Sequence, residues 1–503
     1  MRRLRKASIL RATALAAASA IVFAGCAVPP RADSTPPALD LPMATPPTAG
    51  LAPAWWNSFR DAQLSALVDE ALAANRDLAR AAARIDQSRA ALRLARADRL
   101  PRIDAGVSSG RQRASENAAF LPPGAPLTAS DHRVSIDVAY EVDLWSRLAN
   151  TQEAARADLL ASAFARDTLR TALAAQVVQS YVALQALDAR VALFERTVQA
   201  QRDSLALQRK RFDAGDIGEL DIRQLEAELI GNEAQLPKLE RARGESERAL
   251  ALVLGRSPRE VVQGAVSRSA LPAAVPAAAA DATSTGVQLP ATVPAAPQLP
   301  STLPSDLLER RPDVQAALAR LRAAGARVDA ARAAYFPSIS LTAGLGRESA
   351  ELSSLTHGAS LIWSVLASLT QPIWDGGRID AQNEFVRASW REVEIDYRDT
   401  VATAFKEARD ALAARTETDQ SLRNAVERER ALAQAARLTR LRFDRGEESR
   451  IELIRAEVVD AQRAVAAAQA DVFRVLGGGW SGTEPMMANA TVPAVGYGTG
   501  ATR

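Results

Sequence analysis

The sequence contains one cysteine, Cys26, and two histidines, His132 and His357, in 503 residues. No disulfide can form within the chain, and a metal site built from thiolate or imidazole has too few ligands. His132 and His357 have no cysteine or carboxylate partner at ligand spacing, so each reads as a solitary surface histidine. The same scarcity removes Ser/His/Asp and Cys/His catalytic arrangements. Methionine is also rare, at four, with no cluster for a soft metal cargo. Net charge is only +3, with acids and bases interspersed, which leaves no patch for a nucleic acid. Beyond residue 25 no apolar run reaches the roughly 18 residues that a membrane helix needs. The chain is therefore expected to be no enzyme and to hold no metal or cofactor. What it has in abundance is Ala and Arg with few aromatics, a composition that favours long helices.

Residues 1–25 read as a targeting segment. A basic start, Met1-Arg2-Arg3-Leu4-Arg5-Lys6, precedes an apolar stretch interrupted by Arg11 and ending at Gly25. The boundary Phe23-Ala24-Gly25-Cys26 resembles the bacterial lipobox, with Phe23 where Leu is usual. That resemblance implies a covalent lipid on Cys26, and Ala27 in place of Asp implies sorting to the outer membrane. Two or three acyl chains suffice for stable anchoring, since each buried CH₂ contributes about 0.8 kcal/mol. Residues 26–54, rich in Pro, Ala and Thr, read as a tether. A similar stretch at 264–303 reads as a mid-chain linker, and 481–503 as an unstructured tail.

The segments 55–263 and 304–480 repeat one another. Asn75-Arg76-Asp77-Leu78 matches Arg311-Pro312-Asp313-Val314, and Leu100-Pro101-Arg102-Ile103 matches Phe336-Pro337-Ser338-Ile339. Leu144-Trp145-Ser146-Arg147 matches Ile373-Trp374-Asp375 through Arg378, and Arg166-Asp167-Thr168 matches Arg398-Asp399-Thr400. Arg211-Phe212-Asp213-Ala214-Gly215 matches Arg442-Phe443-Asp444-Arg445-Gly446.

Each half reads helix, strand pair, long helix, turn, long helix. Over 59–98 apolar residues fall at helical spacing (Leu64, Leu67, Val68, Ala71, Leu72), and Pro101 stops the helix. The period then becomes two. Ile103, Ala105 and Val107 alternate with Asp104, Gly106 and Ser108; Val134 through Val142 alternates likewise with Ser135, Asp137, Ala139, Glu141 and Asp143. Ile339 to Leu345 and Trp363 to Leu369 repeat the pattern. These are four strands of about ten residues with one apolar face, joined in pairs through polar loops at 111–130 and 348–358. From about 148 to 212 no proline or glycine interrupts the chain. Val177, Tyr181, Leu184, Leu187, Val191, Phe194 and Val198 recur there at alternating intervals of three and four. At about 1.5 Å per residue such a helix is on the order of 90 Å long.

Four strands cannot close a barrel, since small closed barrels need about eight. Ten alternating residues, tilted, are about what a bilayer requires. Left alone they would expose two edges and an apolar face. Sharing one barrel among several copies solves both problems, with lipid outside and a polar lumen inside, lined by Asp104, Asp137, Glu141 and Asp143.

The sequence resembles the TolC/OprM/NodT family of outer-membrane efflux lipoproteins over nearly the whole mature chain. The blocks that carry this are Trp55-Trp56 with Phe59 and Asp61; Ala71 to Leu78; Leu303-Pro304-Ser305-Asp306-Leu307-Leu308-Glu309-Arg310-Arg311-Pro312-Asp313-Val314; Ala334 to Leu341; and Gln371-Pro372-Ile373-Trp374-Asp375-Gly376-Gly377-Arg378. The resemblance implies an α+β membrane protein: a homotrimer whose four strands per chain form a 12-stranded barrel above a periplasmic α-helical barrel. It implies an exit duct for small molecules, coupled through a periplasmic adaptor to an inner-membrane transporter of the resistance–nodulation–division class. An outlet for type I protein secretion is the nearest alternative. A lipid-anchored helical adaptor fits less well, because the chain has two hairpin tips and bilayer-length strand pairs.

The resemblance also implies a periplasmic gate at two hairpin tips, here Phe212 to Asp221 and Phe443 to Glu452. Gly215 and Gly446 allow the tight turns. Asp221 and Glu452 each stand six residues beyond a tip glycine, where carboxylates from several copies would form an acidic ring. A Tyr and an Arg that tie the second tip in a well-studied relative correspond to Phe443 and Glu448, so the gate bonds must differ and involve Arg445 or Arg450. Gly376-Gly377 lacks the Lys-Ser/Thr of a phosphate loop and reads as backbone freedom at a strand-to-helix corner.

Overall fold

A computed structural model describes residues 54–115, 127–264, 266, 311–440 and 448–478, with backbone alone for 436–440 and 448–454. Cys26, Phe443, Arg445 and Gly446 lie outside the described residues, as do almost all of the tether and linker and the whole tail.

A 3₁₀ turn at Trp55–Phe59 leads into α1 (Ala62–Ala74) and α2 (Arg76–Ala97). The single helix expected over 59–98 is therefore two. Asn75 takes an extended conformation, and its side-chain oxygen accepts from the amides of Asp77 and Leu78 to cap α2. Strands β1 (Arg102–Arg113) and β2 (Thr128–Val142) follow, then α3 (Arg147–Asp213), 67 residues without a break. The return from the first tip is split into α4 (Glu219–Glu233) and α5 (Leu236–Val253). Pro237 explains the split: without an N–H it fits only the first turn of a helix. A short α6 (Pro258–Gln263) ends the first half. The second half has α7 (Pro312–Arg332), β3 (Ser338–Ser349), β4 (Leu361–Thr370), α8 (Arg378–Arg440) and α9 (Glu448–Val475).

By contact the chain forms two compact units. One comprises Arg84–Ser162 and Ala317–Tyr397; the other comprises the described parts of Leu39–Ala83, Ala163–Ala316 and Arg398–Arg503. The first holds one antiparallel sheet in the order β1-β2-β3-β4. The second is helical, and its core joins Trp55, Trp56 and Phe59 to α1, to the Leu173–Leu184 stretch of α3, to the end of α5 and to Phe473. Trp55 stacks on Phe473 at 4.8 Å between ring centroids. Asp61 caps α1 through the amides of Gln63 and Leu64, and its second oxygen accepts from the buried Tyr181 hydroxyl at 2.8 Å. The aromatic block and the acid beside it thus fasten the start of the fold to its longest helix.

Candidate functional site

The sheet register aligns one apolar face across all four strands. Ile103 pairs with Val138, Val138 with Ala343, and Ala343 with Val365; the neighbouring row runs Ala105, Ile136, Leu345, Trp363. Below them Val142, Ile339 and Leu369 form a third row. This face is uncovered: Val107, Trp363 and Val365 are 81%, 73% and 75% exposed. Among the described residues β1 and β4 each have a single strand neighbour, so two hydrogen-bonding edges are open as well. The strands run 12, 15, 12 and 10 residues, enough to cross a bilayer when tilted.

The opposite face is polar but not uniformly so. Asp104 stands directly opposite Asp137, and the row continues through Gly344 and Ser364. Arg102 pairs with Asp104 at 2.9 Å, and Ser135 donates to Asp137 at 2.7 Å, which offsets the like-charge contact. A Cβ on Gly344 would sit 2.8 Å from Asp137 Oδ1, so the acid occupies the space a larger side chain would need. The Ser340 and Ser368 hydroxyls meet at 2.6 Å on the same face. Ile362 and Leu366 also lie on it, so alternation in β4 is weaker than the pattern of odd positions alone conveys.

Two of the four acids assigned to the polar wall are committed elsewhere. Asp143 lies beyond β2 and accepts from the amides of Leu148 and Ala149, capping α3. Glu141 takes a bidentate bond from Arg147 at 3.0 and 2.8 Å. At the second corner Asp375 caps α8 through the amides of Gly377 and Ile379. The corners are further pinned by aromatics. Trp145 stacks on Phe336 at 4.6 Å and donates its indole N–H to the Pro337 carbonyl at 2.7 Å. The Tyr335 hydroxyl donates to Asp380 at 2.6 Å, and burial together with this bond pushes its pKa up to about 12.

At the first tip Gly215 has φ +83°, the left-handed conformation that ends a helix. Its amide bonds to the Phe212 carbonyl, and that of Asp216 to the Arg211 carbonyl, closing α3 with two nested bonds. Asp221 reaches back to accept from the Gly218 amide at 3.1 Å, so it caps α4 as well as carrying a tip charge. Behind the tip the hairpin is laced by ion pairs: Arg209 with Glu226 and Arg202 with Glu233, both at 2.7 Å. Arg209 and Arg223 hold the Glu226 carboxyl below its usual range. At the second tip the backbone of Glu448, Arg450 and Glu452 begins α9.

The family model for outer membrane efflux proteins matches residues 67–256 and 303–477. The chain belongs to the outer membrane efflux protein family. Outer membrane protein OprJ of Pseudomonas aeruginosa is 35% identical over 448 residues, covering 84% of this chain and 86% of that protein. The toluene efflux pump outer membrane protein TtgI of Pseudomonas putida is 30% identical over 432 residues, covering 84% and 87%. A crystal structure of a membrane protein from Pseudomonas aeruginosa, 33% identical, superposes with a TM-score of 0.74 and covers 88% of this chain and all of that one. The fold is TolC-like, and the protein is an outer-membrane exit channel of an efflux pump.

One functional detail was hidden from sequence reasoning: the Asp at each corner caps a helix. A cap is set by backbone geometry just past a strand, and Asp143 and Asp375 stand on opposite sides of their corner tryptophans. Pattern matching centred on Trp145 and Trp374 therefore separates them.

Proposed function

We propose that three copies of this chain close one 12-stranded barrel and form the passive outlet of a tripartite pump. A periplasmic adaptor links it to an inner-membrane transporter of the resistance–nodulation–division class, which supplies the energy. The outlet conducts small molecules and breaks no covalent bond. The long helices form its periplasmic extension, and a lipid on Cys26 adds a second hold on the outer membrane.

The observation that carries this reading is an apolar face in register across four strands whose two edges are open. In a four-stranded meander the first and last strands run in opposite directions. β4 of one copy therefore pairs antiparallel with β1 of the next, and a head-to-tail ring closes without residual edges. Two copies give the minimum of about eight strands; three give the number the family resemblance implies. The toluene in one relative's name belongs to that protein, and the transporter sets the cargo here. The test is native mass spectrometry and planar-bilayer recording on the full-length protein in detergent, with a deletion strain run on a susceptibility panel. Acylated trimers that conduct ions, and a strain sensitised to small toxic compounds, are expected. A monomer without conductance overturns the reading. Loss of a secreted protein with unchanged susceptibility reassigns the duct to type I secretion.

Asp221 and Glu452 belong to the periplasmic mouth in this reading, where repeated in several copies they draw cations. Because Asp221 also caps α4, the informative change is Asp221→Asn with Glu452→Gln, which keeps an acceptor for the Gly218 amide and removes the charge. Reduced cation selectivity and weaker divalent block are expected in planar bilayers. Unchanged selectivity and block exclude both acids from the gate.

A further inference from the structure

The repeat supplies a template for a contact that a single chain cannot make. β1 and β3 occupy equivalent stretches, Arg102–Arg113 and Ser338–Ser349, each beginning 236 residues apart. The turns that lead into them carry the same bond: the Leu100 amide to the Ala97 carbonyl at 2.9 Å, and the Phe336 amide to the Ala333 carbonyl at 3.1 Å. Leu100-Pro101 therefore presents to the β1 edge what Phe336-Pro337 presents to β3.

Within the chain the β2–β3 seam is fastened at this corner. Trp145, just past β2, covers Phe336 and donates to the Pro337 carbonyl. The equivalent residue past β4 is Trp374. It is 88% exposed, its neighbour Ile373 85%, and Leu100 66%. A tryptophan carries one of the largest apolar surfaces of any side chain, and its N–H finds an acceptor when buried. Gly376 and Gly377, at φ +71° and +85°, add two residues of pliable backbone between Trp374 and α8; Ser146 alone, at φ +61°, separates Trp145 from α3. The second corner thus has the slack to fit a surface that its own chain does not provide.

We propose that Trp374 of one copy packs on Leu100 of the next and donates its indole N–H to that copy's Pro101 carbonyl. This clasps the seam between β4 and β1 as Trp145 clasps the seam between β2 and β3. The inference rests on the reading that copies of the chain share one barrel. It adds that a corner clasp, and not strand pairing alone, fixes how neighbouring copies meet.

The test places the photoreactive residue p-benzoylphenylalanine at position 374 in the full-length protein, irradiates intact outer membranes, and maps the adducts. The sample's copy number is measured by native mass spectrometry. Covalent links between copies, mapping to residues 97–103, are expected. An adduct on phospholipid, on another protein, or on a different segment of the neighbouring copy, in a sample that is multi-copy, overturns the clasp and leaves the shared barrel standing. A single-copy sample overturns the barrel reading and the clasp with it. As a second measure, Trp374→Ala is expected to dissociate into single chains at a lower temperature in detergent than the parent. Leu100→Phe, which copies the Phe336 corner, is expected to dissociate no earlier. Equal resistance of Trp374→Ala to dissociation overturns the proposal.

Discussion

Val365→Arg is expected to abolish insertion of the channel into the outer membrane, and Ser364→Arg, one residue earlier, to leave it intact. Val365 stands in the middle of β4, 75% exposed on the face that also carries Ile103, Val138 and Ala343. Arginine facing lipid near the bilayer midplane of a barrel costs about 2–4 kcal/mol. In the proposed three-copy barrel the cost is about 6–12 kcal/mol per assembly, comparable to the whole stability of a domain. Ser364 shares the opposite face with Asp137 and Gly344, where a guanidinium stays hydrated and meets a carboxylate. Outer-membrane fractionation followed by a native gel reads both variants. Equal yield of the membrane-inserted assembly for the two would mean that this face does not meet lipid. The contrast is steep because side chains alternate strictly along a strand, so adjacent residues sample two different solvents.

That alternation is also why the sheet could be read directly from the amino acids. Odd positions from Ile103 to Val107, even ones from Val134 to Val142 and odd ones in β3 all fall on one face in the observed register. The duplicated blocks located both strand pairs and the corner prolines. Helix interruptions were less legible, because they turn on one residue's capping or on a missing N–H: Asn75 splits α1 from α2, and Pro237 splits α4 from α5. Glu141 and Asp143 read as pore-lining from their parity. Their partners, Arg147 and the first amides of α3, belong to an element whose start the strand pattern does not fix. At the first tip Asp221 reads as a gate charge by position, yet its bond to Gly218 depends on the turn geometry that Gly215 creates.

Arg311, the residue before Pro312 in the most distinctive block of the chain, is expected to be among the most costly single residues to remove from the helical unit. Its side chain is only 8% exposed, and its Nη2 lies 2.7 Å from Asp313 and 2.9 Å from Glu407. Its other terminal nitrogen donates to the Val475 carbonyl at 3.1 Å and the Ala404 carbonyl at 3.4 Å. Burial opposes its charge, but the bonds to Asp313 and Glu407 outweigh that and hold the guanidinium above its ordinary pKa. Val475 is the last residue of α9, where unpaired carbonyls favour a cation. The first half uses a smaller device at the matching place: Asn75 donates to the carbonyl of Val253, the last residue of α5. Only a planar fork with several donors reaches two acids and two carbonyls together. Arg311→Ala is therefore expected to destabilise the unit by about 3 kcal/mol, the low end for a broken buried pair. The loss stays at that end because Asp313 and Glu407 keep about a third of their surface exposed and Arg474 remains 3.7 Å from Glu407. Arg311→Lys keeps one ion pair but loses the carbonyl bonds, and should fall between Ala and the parent. Thermal unfolding followed by helical circular dichroism reads the series; an alanine variant within about 0.5 kcal/mol of the parent, the range of ordinary surface changes, would reduce Arg311 to a surface charge.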